Sequence, residues 1–301
     1  MSEIILRTKG LRKVYGKQAA VDGIDLVVER GSIYGLIGKN GAGKTTTLKM
    51  IGGLAAPTSG SLELFGKTGS ELGMVRNRVS CLIEDPGLYG NMTAEQNMLA
   101  KCLMFGIKDK KYVSDLLALV GLSNVGKKKT KQFSLGMRQR LGIALAMVGE
   151  PDVLVLDEPI NGLDPEGIVE VRETLISIAK DKGITIIISS HILEELSKVA
   201  THYGIMHKGH LVDQMTAEEL QDRCSMRIEI VTNQPDKAST VLDGLGITNY
   251  KVVDRETINV MERLDDVAYI NRELNAAGIL VSKIAVNNES LESFFLGITE
   301  D

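Results

Sequence analysis

Gly38-Lys39-Asn40-Gly41-Ala42-Gly43-Lys44-Thr45 decides how the rest of this chain is read. The octapeptide follows a short apolar run, Ile33-Tyr34-Gly35-Leu36-Ile37, and leads into Thr46-Thr47-Leu48-Lys49-Met50-Ile51, which has the make-up of a helix. Strand, glycine-rich loop and helix form the context in which G-x-x-x-x-G-K-[ST] makes a phosphate cradle. Glycines let backbone N–H groups converge on an anion without Cβ clashes, and the helix that follows points its positive end at the same place. Gly38, Lys39, Asn40, Gly41, Ala42, Gly43, Lys44, Thr45 and Thr46 are therefore expected to bind the phosphates of a nucleotide. Lys44 is expected on the β- and γ-phosphates and the Thr45 hydroxyl on Mg²⁺.

Further along, Val153-Leu154-Val155-Leu156 is a continuous apolar strand that ends in Asp157-Glu158-Pro159. Carboxylates at the end of a buried strand are costly unless a cation or proton partner awaits them. Asp157 is expected to hold Mg²⁺ opposite Thr45, and Glu158 to orient and deprotonate an attacking water. A second apolar strand, Ile184–Ile188, follows a helical stretch at about 165–180. That βαβ order implies a parallel sheet covered on both faces. Residues 4–30 alternate apolar and polar, as in Val21-Asp22-Gly23-Ile24-Asp25-Leu26, and predict short antiparallel strands, as does Gly60–Gly66. A helical period runs from about 92 to 121, where Gly121 is a plausible C-cap, and another helix covers 134–149.

The character changes near residue 221. Strands are expected at 227–231, 249–254, 257–262 and 279–286, with helices at 234–245 and 265–277. This βαββαβ order is that of a small ferredoxin-like domain. A last helix is expected over Ser290–Leu296, and Gln221–Met226 is the expected linker.

Composition narrows the function classes. The 301 residues are 44% apolar and 25% charged, with a net charge of −4, which disfavours nucleic acid as a partner. The three cysteines are scattered, with neither disulfide nor metal-ligand spacing, as expected in a reducing cytoplasm. Met1–Arg7 lacks the make-up of a signal peptide, and no apolar run approaches the roughly 20 residues needed to span a bilayer. Any membrane process this protein serves needs another chain to cross the membrane.

Taken in order, these motifs resemble the ATPase subunit of an ATP-binding cassette (ABC) transporter over residues 1 to about 220. Ser134-Leu135-Gly136-Met137, after Phe133, sits at the family signature; Asn161-Gly162-Leu163-Asp164 has the spacing of the D-loop; His191 stands at the switch position; and Tyr15 stands where an aromatic ring stacks on adenine. The resemblance implies an α/β P-loop NTPase (ABC ATPase) fold: a RecA-like parallel-sheet core, an antiparallel β subdomain and a helical subdomain at about 86–150. Residues 225–301 would add a small α+β accessory domain. It implies ATP and Mg²⁺ as ligands and two copies of the chain sandwiching two ATPs. The phosphate loop of one copy would face Ser134, Leu135, Gly136 and Met137 of the other, and Asp164 would contact the partner copy. His191 would hold the γ-phosphate and the attacking water beside Glu158.

Two departures mark this chain. The commonest signature is Leu-Ser-Gly-Gly-Gln, and here its last three residues read Leu135-Gly136-Met137. Glu84 stands where the family normally has a glutamine that contacts Mg²⁺ and senses the transmembrane partner. With Ile188-Ser189-Ser190-His191-Ile192-Leu193-Glu194-Glu195-Leu196, these features look like the ATPases of bacitracin and lantibiotic self-protection exporters. The expected role is to power a separate permease from the inner face of the cell membrane; the alternative is a soluble ABC ATPase acting on ribosomes or DNA.

Overall fold

A computed structural model describes residues 3–287 and 291–299; Met1, Ser2 and the expected start of the last helix at Ser290 lie outside them. The strands are β1 (Ile4–Tyr15), β2 (Gln18–Ile24), β3 (Val27–Glu29), β4 (Ile33–Ile37), β5 (Ser59–Leu64), β6 (Lys67–Thr68), β7 (Val79–Leu82), β8 (Val153–Asp157), β9 (Thr185–Ser190), β10 (His202–His207), β11 (His210–Thr216), β12 (Arg227–Thr232), β13 (Tyr250–Val252), β14 (Thr257–Val260) and β15 (Val281–Asn287). The helices are α1 (Lys44–Ile51), α2 (Ala94–Met104), α3 (Lys110–Leu119), α4 (Leu135–Ala146), α5 (Pro165–Lys182), α6 (Leu193–Ser197), α7 (Ala217–Cys224), α8 (Pro235–Gly244), α9 (Val267–Ala276) and α10 (Leu291–Thr299). The chain divides into two compact units, Met1–Ala217 and Glu218–Asp301.

In the first unit the apolar runs become the centre of a six-stranded sheet of order β11-β10-β4-β9-β8-β7. All of its neighbours pair in parallel except the β10–β11 hairpin. Every residue of β4, β8 and β9 is buried, as strands with both faces covered must be. Ile186, Ile187 and Ile188 of β9 are removed from water almost completely, each worth about 1.5–3 kcal/mol. A second sheet, β2-β1-β5-β6 with β3 on β1, is antiparallel and carries the alternating sequence of residues 4–30. Leu6, Leu11, Val21 and Leu64 of this sheet share a core with Leu48 and Ile51 of α1 and Val155 of β8. That common core fixes α1, and the loop before it, between the two sheets.

The helical stretch expected at 92–121 is two helices. α2 starts in a capping box, with Thr93 and Gln96 exchanging backbone bonds, and ends before Gly106 at φ +72°; Asp109 then caps α3. A left-handed residue breaks the ladder although the apolar spacing runs through it. Strands β7, β10 and β11 and helix α6 were not anticipated.

The second unit has the sheet order β13-β14-β12-β15, all antiparallel. Counted within the unit, that is strand order 2-3-1-4, the ferredoxin-like arrangement. α8 and α9 pack Ala238, Leu242, Ile270 and Leu274 on Ile228, Ile230, Ile258 and Val260, forming a core of its own. The stretch expected as a linker, Gln221–Met226, is mostly helical: α7 runs to Cys224.

Candidate functional site

The phosphate loop is built where β4 meets α1, and its glycines are dictated by space. A Cβ on Gly38 would lie 2.6 Å from the Met206 carbonyl oxygen. Gly43 has φ +104°, and a Cβ there would lie 2.5 Å from the Ala20 carbonyl oxygen. Any side chain at either position would displace backbone. The loop lines a cleft of about 510 Å³ with Tyr15, Gln18, Lys44, Thr45, Thr46, Glu158 and Lys208. Tyr15 is half exposed on its rim, with the Lys13 ammonium 5.0 Å from its ring centre.

At the floor of the cleft five sequence-predicted residues converge: Lys44, Thr45, Asp157, Glu158 and His191. Lys44 is buried, with 6% of its surface exposed, and its ammonium donates to the Gly38 carbonyl at 2.7 Å. The Thr45 hydroxyl donates to Asp157 Oδ2 at 2.8 Å. Glu158 Oε1 lies 3.2 Å from Lys44 Nζ, and Glu158 Oε2 lies 2.8 Å from His191 Nδ1. The buried Oε1 accepts no hydrogen bond among the described residues, so charge alone ties it to Lys44 and its lone pairs remain available. Glu158 has φ +49°, a left-handed backbone that costs a non-glycine residue about 1–2 kcal/mol.

One serine that sequence reasoning missed offsets that strain. Ser189 Oγ donates to Asp157 Oδ1 at 2.6 Å and accepts the Glu158 backbone N–H at 2.9 Å. It thus fixes the orientation of one carboxylate and the backbone of the next. Its signal was available: a hydroxyl pair, Ser189-Ser190, closing a strand that is otherwise apolar from Ile184 to Ile188.

Glu84, expected as a metal ligand, is placed elsewhere. Its Oε1 lies 2.7 Å from Lys49 Nζ, one helical turn beyond Thr45, and its side chain is 69% exposed. The Glu84 carboxylate holds the Lys49 ammonium above its ordinary pKa, and Glu84 also carries a left-handed φ of +66°. The structure pairs it with a cation rather than with the Thr45–Asp157 oxygens. Lys49 was not anticipated as its partner.

The signature residues stand apart from the cleft. Ser134 is exposed and caps α4, accepting from Met137 N at 3.2 Å; Leu135 is exposed beside it, and Gly136 is buried against Gly167. Asp164 caps α5 by accepting from Gly167 N at 3.2 Å. None of Ser134, Leu135, Gly136, Met137 and Asp164 lines the cleft that holds Lys44 and Glu158. The chain therefore presents an oxygen-lined cleft and, separately, a capped helix N-terminus.

Among the described residues no group of three His, Cys, Asp or Glu side chains could hold a metal alone. The Thr45–Asp157 pair offers hard oxygen ligands of the kind Mg²⁺ takes when substrate oxygens complete the shell. Among the described residues no helix is long and apolar enough to cross a membrane.

Comparison with known proteins places this geometry. A family model described as "ABC transporter" matches residues 21–161, and one described as "AAA domain, putative AbiEii toxin, Type IV TA system" matches residues 130–197. The bacitracin transport ATP-binding protein BcrA of Bacillus licheniformis is 41% identical over 297 residues, covering 97% of this chain and 96% of that protein. The lantibiotic transport ATP-binding protein SrtF of Streptococcus pyogenes is 42% identical over 208 residues, covering 69% of this chain and 89% of that one. Among solved structures, CbiO1 of Clostridium perfringens, part of an ABC transporter complex, superposes with a TM-score of 0.66 at 26% identity, covering 81% of this chain and 96% of that one.

Proposed function

Since the chain belongs to the ATP-hydrolysing, ATP-binding family of ABC transporters, we propose that it powers a separate membrane permease that exports an antimicrobial peptide of the bacitracin or lantibiotic kind. The observation that carries this reading is the likeness to a bacitracin-transport ATP-binding protein along both units of the chain. The net charge of −4 argues against nucleic acid as the partner.

In this reading ATP enters the cleft with its base on Tyr15 and its phosphates on the backbone of Gly38–Thr46. Lys44 turns from Glu158 to the γ-phosphate. Mg²⁺ at Thr45 and Asp157 would neutralise charge on the β- and γ-phosphate oxygens. Glu158, with its free buried lone pairs, takes the proton of the attacking water, and His191 holds the carboxylate in place. Ser189 keeps Asp157 and Glu158 in register through both events.

The cleft alone is half a site. We assign the second half to another copy of the chain, whose signature segment, the equivalent of Ser134–Met137, would bring its capped helix N-terminus to the γ-phosphate. Asp164, beside that helix, would contact the opposing copy. The permease would dock on the helical region, where a groove of about 250 Å³ is lined by Leu82, Pro86, Tyr89, Met104 and Leu145. Met104 and Tyr89 are exposed at its edge, as apolar anchors awaiting a partner are. The protein would then sit at the inner face of the membrane through that permease.

The test is co-expression of the chain with a candidate permease, reading resistance to bacitracin and to a lantibiotic. Resistance with the wild-type chain that disappears with Glu158→Gln supports the reading. Unchanged sensitivity to both peptides, with the two proteins co-purifying, overturns the cargo assignment; failure to co-purify overturns the permease assignment.

A further inference from the structure

The second unit has one face of its sheet on α8 and α9 and carries a cleft on the other. Ile228, Ile230, Ile258 and Val260 point into the core. Side chains alternate across a strand, so Arg227, Asn259 and Met261 point the opposite way. Lys251 pairs directly with Asn259 across β13 and β14 and shares that open face. α10 contributes Phe294, Gly297 and Ile298, which are three and four residues apart and so fall on one side of the helix. Together these residues line a cleft of about 520 Å³, within the size range of small-molecule sites.

Three observations define what the cleft would take. First, among the described residues Arg227 and Lys251 line it beside one acid, Asp222, while the Arg223 guanidinium lies over the Phe294 ring at 5.8 Å. Lys251 has no carboxylate partner among the described residues, whereas the nearby Glu229 is engaged by Lys283 at 2.6 Å. Second, two buried polar atoms of opposite character have no hydrogen-bond partner among the described residues: the donor Arg227 Nε and the acceptor Asn259 Oδ1. Buried polar atoms are nearly always satisfied, and each one left unmade costs about 1–3 kcal/mol. Third, apart from Gly297 and Ser225, whose hydroxyl donates to the Asp222 carbonyl at 2.9 Å, the rest of the lining is apolar: Val253, Met261, Phe294 and Ile298. The Arg227 head is also braced, since Nη1 donates to the Arg223 carbonyl at the end of α7 at 2.7 Å. That leaves Nε directed by the backbone rather than free to wander.

We propose that this cleft binds an α-carboxylate with a neighbouring N–H donor and an apolar side chain: a free apolar amino acid or the carboxy-terminal end of an apolar peptide. The carboxylate accepts from Arg227 Nε and pairs with Lys251. The amino or amide N–H donates to Asn259 Oδ1, and Asp222 balances an ammonium where one is present. The side chain lies among Val253, Met261, Phe294 and Ile298. An anion with no donor of its own, such as chloride or an ionised fatty acid, would leave Asn259 Oδ1 unmet. No residue lines both this cleft and the one that holds Lys44 and Glu158.

The experiment is titration calorimetry on the full chain with three probes: L-leucine, the tripeptide Ala-Ala-Leu and L-leucinamide. L-leucine or the tripeptide binds, and which of them binds more tightly identifies the source; leucinamide, lacking the carboxylate, binds at least tenfold more weakly. Lys251→Gln, an exposed strand position, weakens the acid probes about tenfold and leaves ATP binding unchanged. Arg227→Gln weakens them further, with the circular dichroism spectrum checked because Arg227 also braces α7. The proposal is overturned if neither acid binds the wild-type chain, if leucinamide matches L-leucine, or if Lys251→Gln leaves the affinity of the acid probes unchanged.

Discussion

Replacing Glu158 by Gln separates two roles that the structure gives one carboxylate. Before nucleotide arrives, Glu158 Oε1 faces Lys44 Nζ at 3.2 Å, with side chains 19% and 6% exposed. At an effective dielectric of 20 that separation corresponds to about 5 kcal/mol of Coulomb attraction before desolvation is counted. Most of it is cancelled by the loss of water around both groups, leaving on the order of 1–2 kcal/mol that ATP must overcome to claim Lys44. An amide at position 158 removes that competition and its repulsion toward the γ-phosphate. ATP affinity should therefore rise about five- to thirtyfold. Turnover should fall about 10²- to 10⁴-fold, because the group that accepts the water proton is gone. The assays are equilibrium binding of ATP, phosphate release at saturating ATP, and light scattering to follow dimer formation. Lys44→Ala is the control and should abolish binding. Equal or weaker ATP binding by Glu158→Gln would refute the competition between base and phosphate. Hydrolysis within a few-fold of wild type would refute the role of Glu158 itself.

Two further expectations follow from charges elsewhere in the first unit. Glu84→Ala should leave ATP binding nearly intact, lower hydrolysis several-fold and lower export more than hydrolysis; because its pair with Lys49 is exposed, stability should change by less than about 1 kcal/mol, and equal losses in the two assays would remove the coupling role. Arg78 holds Asp152 with two hydrogen bonds, at 2.6 and 2.7 Å, and together with Arg30 keeps its carboxyl below the ordinary range. A depressed folded-state pKa gives stability that is present above the unfolded value near 3.8 and lost as pH falls through the lower folded value. With solvent screening at this partly exposed pair, Arg78→Met should thus cost no more than about 1 kcal/mol at pH 7 and progressively less below pH 4 by thermal unfolding, and a pH-independent cost would show that packing of Arg78 on Phe65, 3.8 Å away, is what was lost.

The parts of the fold that were legible in the sequence are those whose physics is local. Gly43 takes a left-handed φ of +104° that its own turn requires, and β8 and β9 announce burial by being apolar without interruption; the Met206 and Ala20 carbonyls that also exclude a side chain at Gly38 and Gly43 are distant in sequence and could not be read from it. The β12–β15 unit was readable because its strands alternate and its helices are amphipathic. Where sequence reasoning fell short, the deciding partner was distant or the signal was short. β10 mixes His202, Gly204 and His207 with its apolar residues, and β7 spans only four positions. Gly106 ends α2 inside an uninterrupted apolar spacing. The Lys49–Glu84 and Lys44–Glu158 pairs join segments that neither spacing nor composition connects. Ser189 was visible as a residue but not as a brace, because bracing depends on where Asp157 lies across the sheet.

The ten fully buried residues that form the core of the second unit all come from that unit, from Ile228 to Ile279. A substitution among them weakens packing that no strand of the phosphate-loop sheet contributes to, and effects at such separate sites combine additively. Residues 218–301 thus carry their own store of packing energy, and a substitution in that core is answered first by neighbours within the same unit.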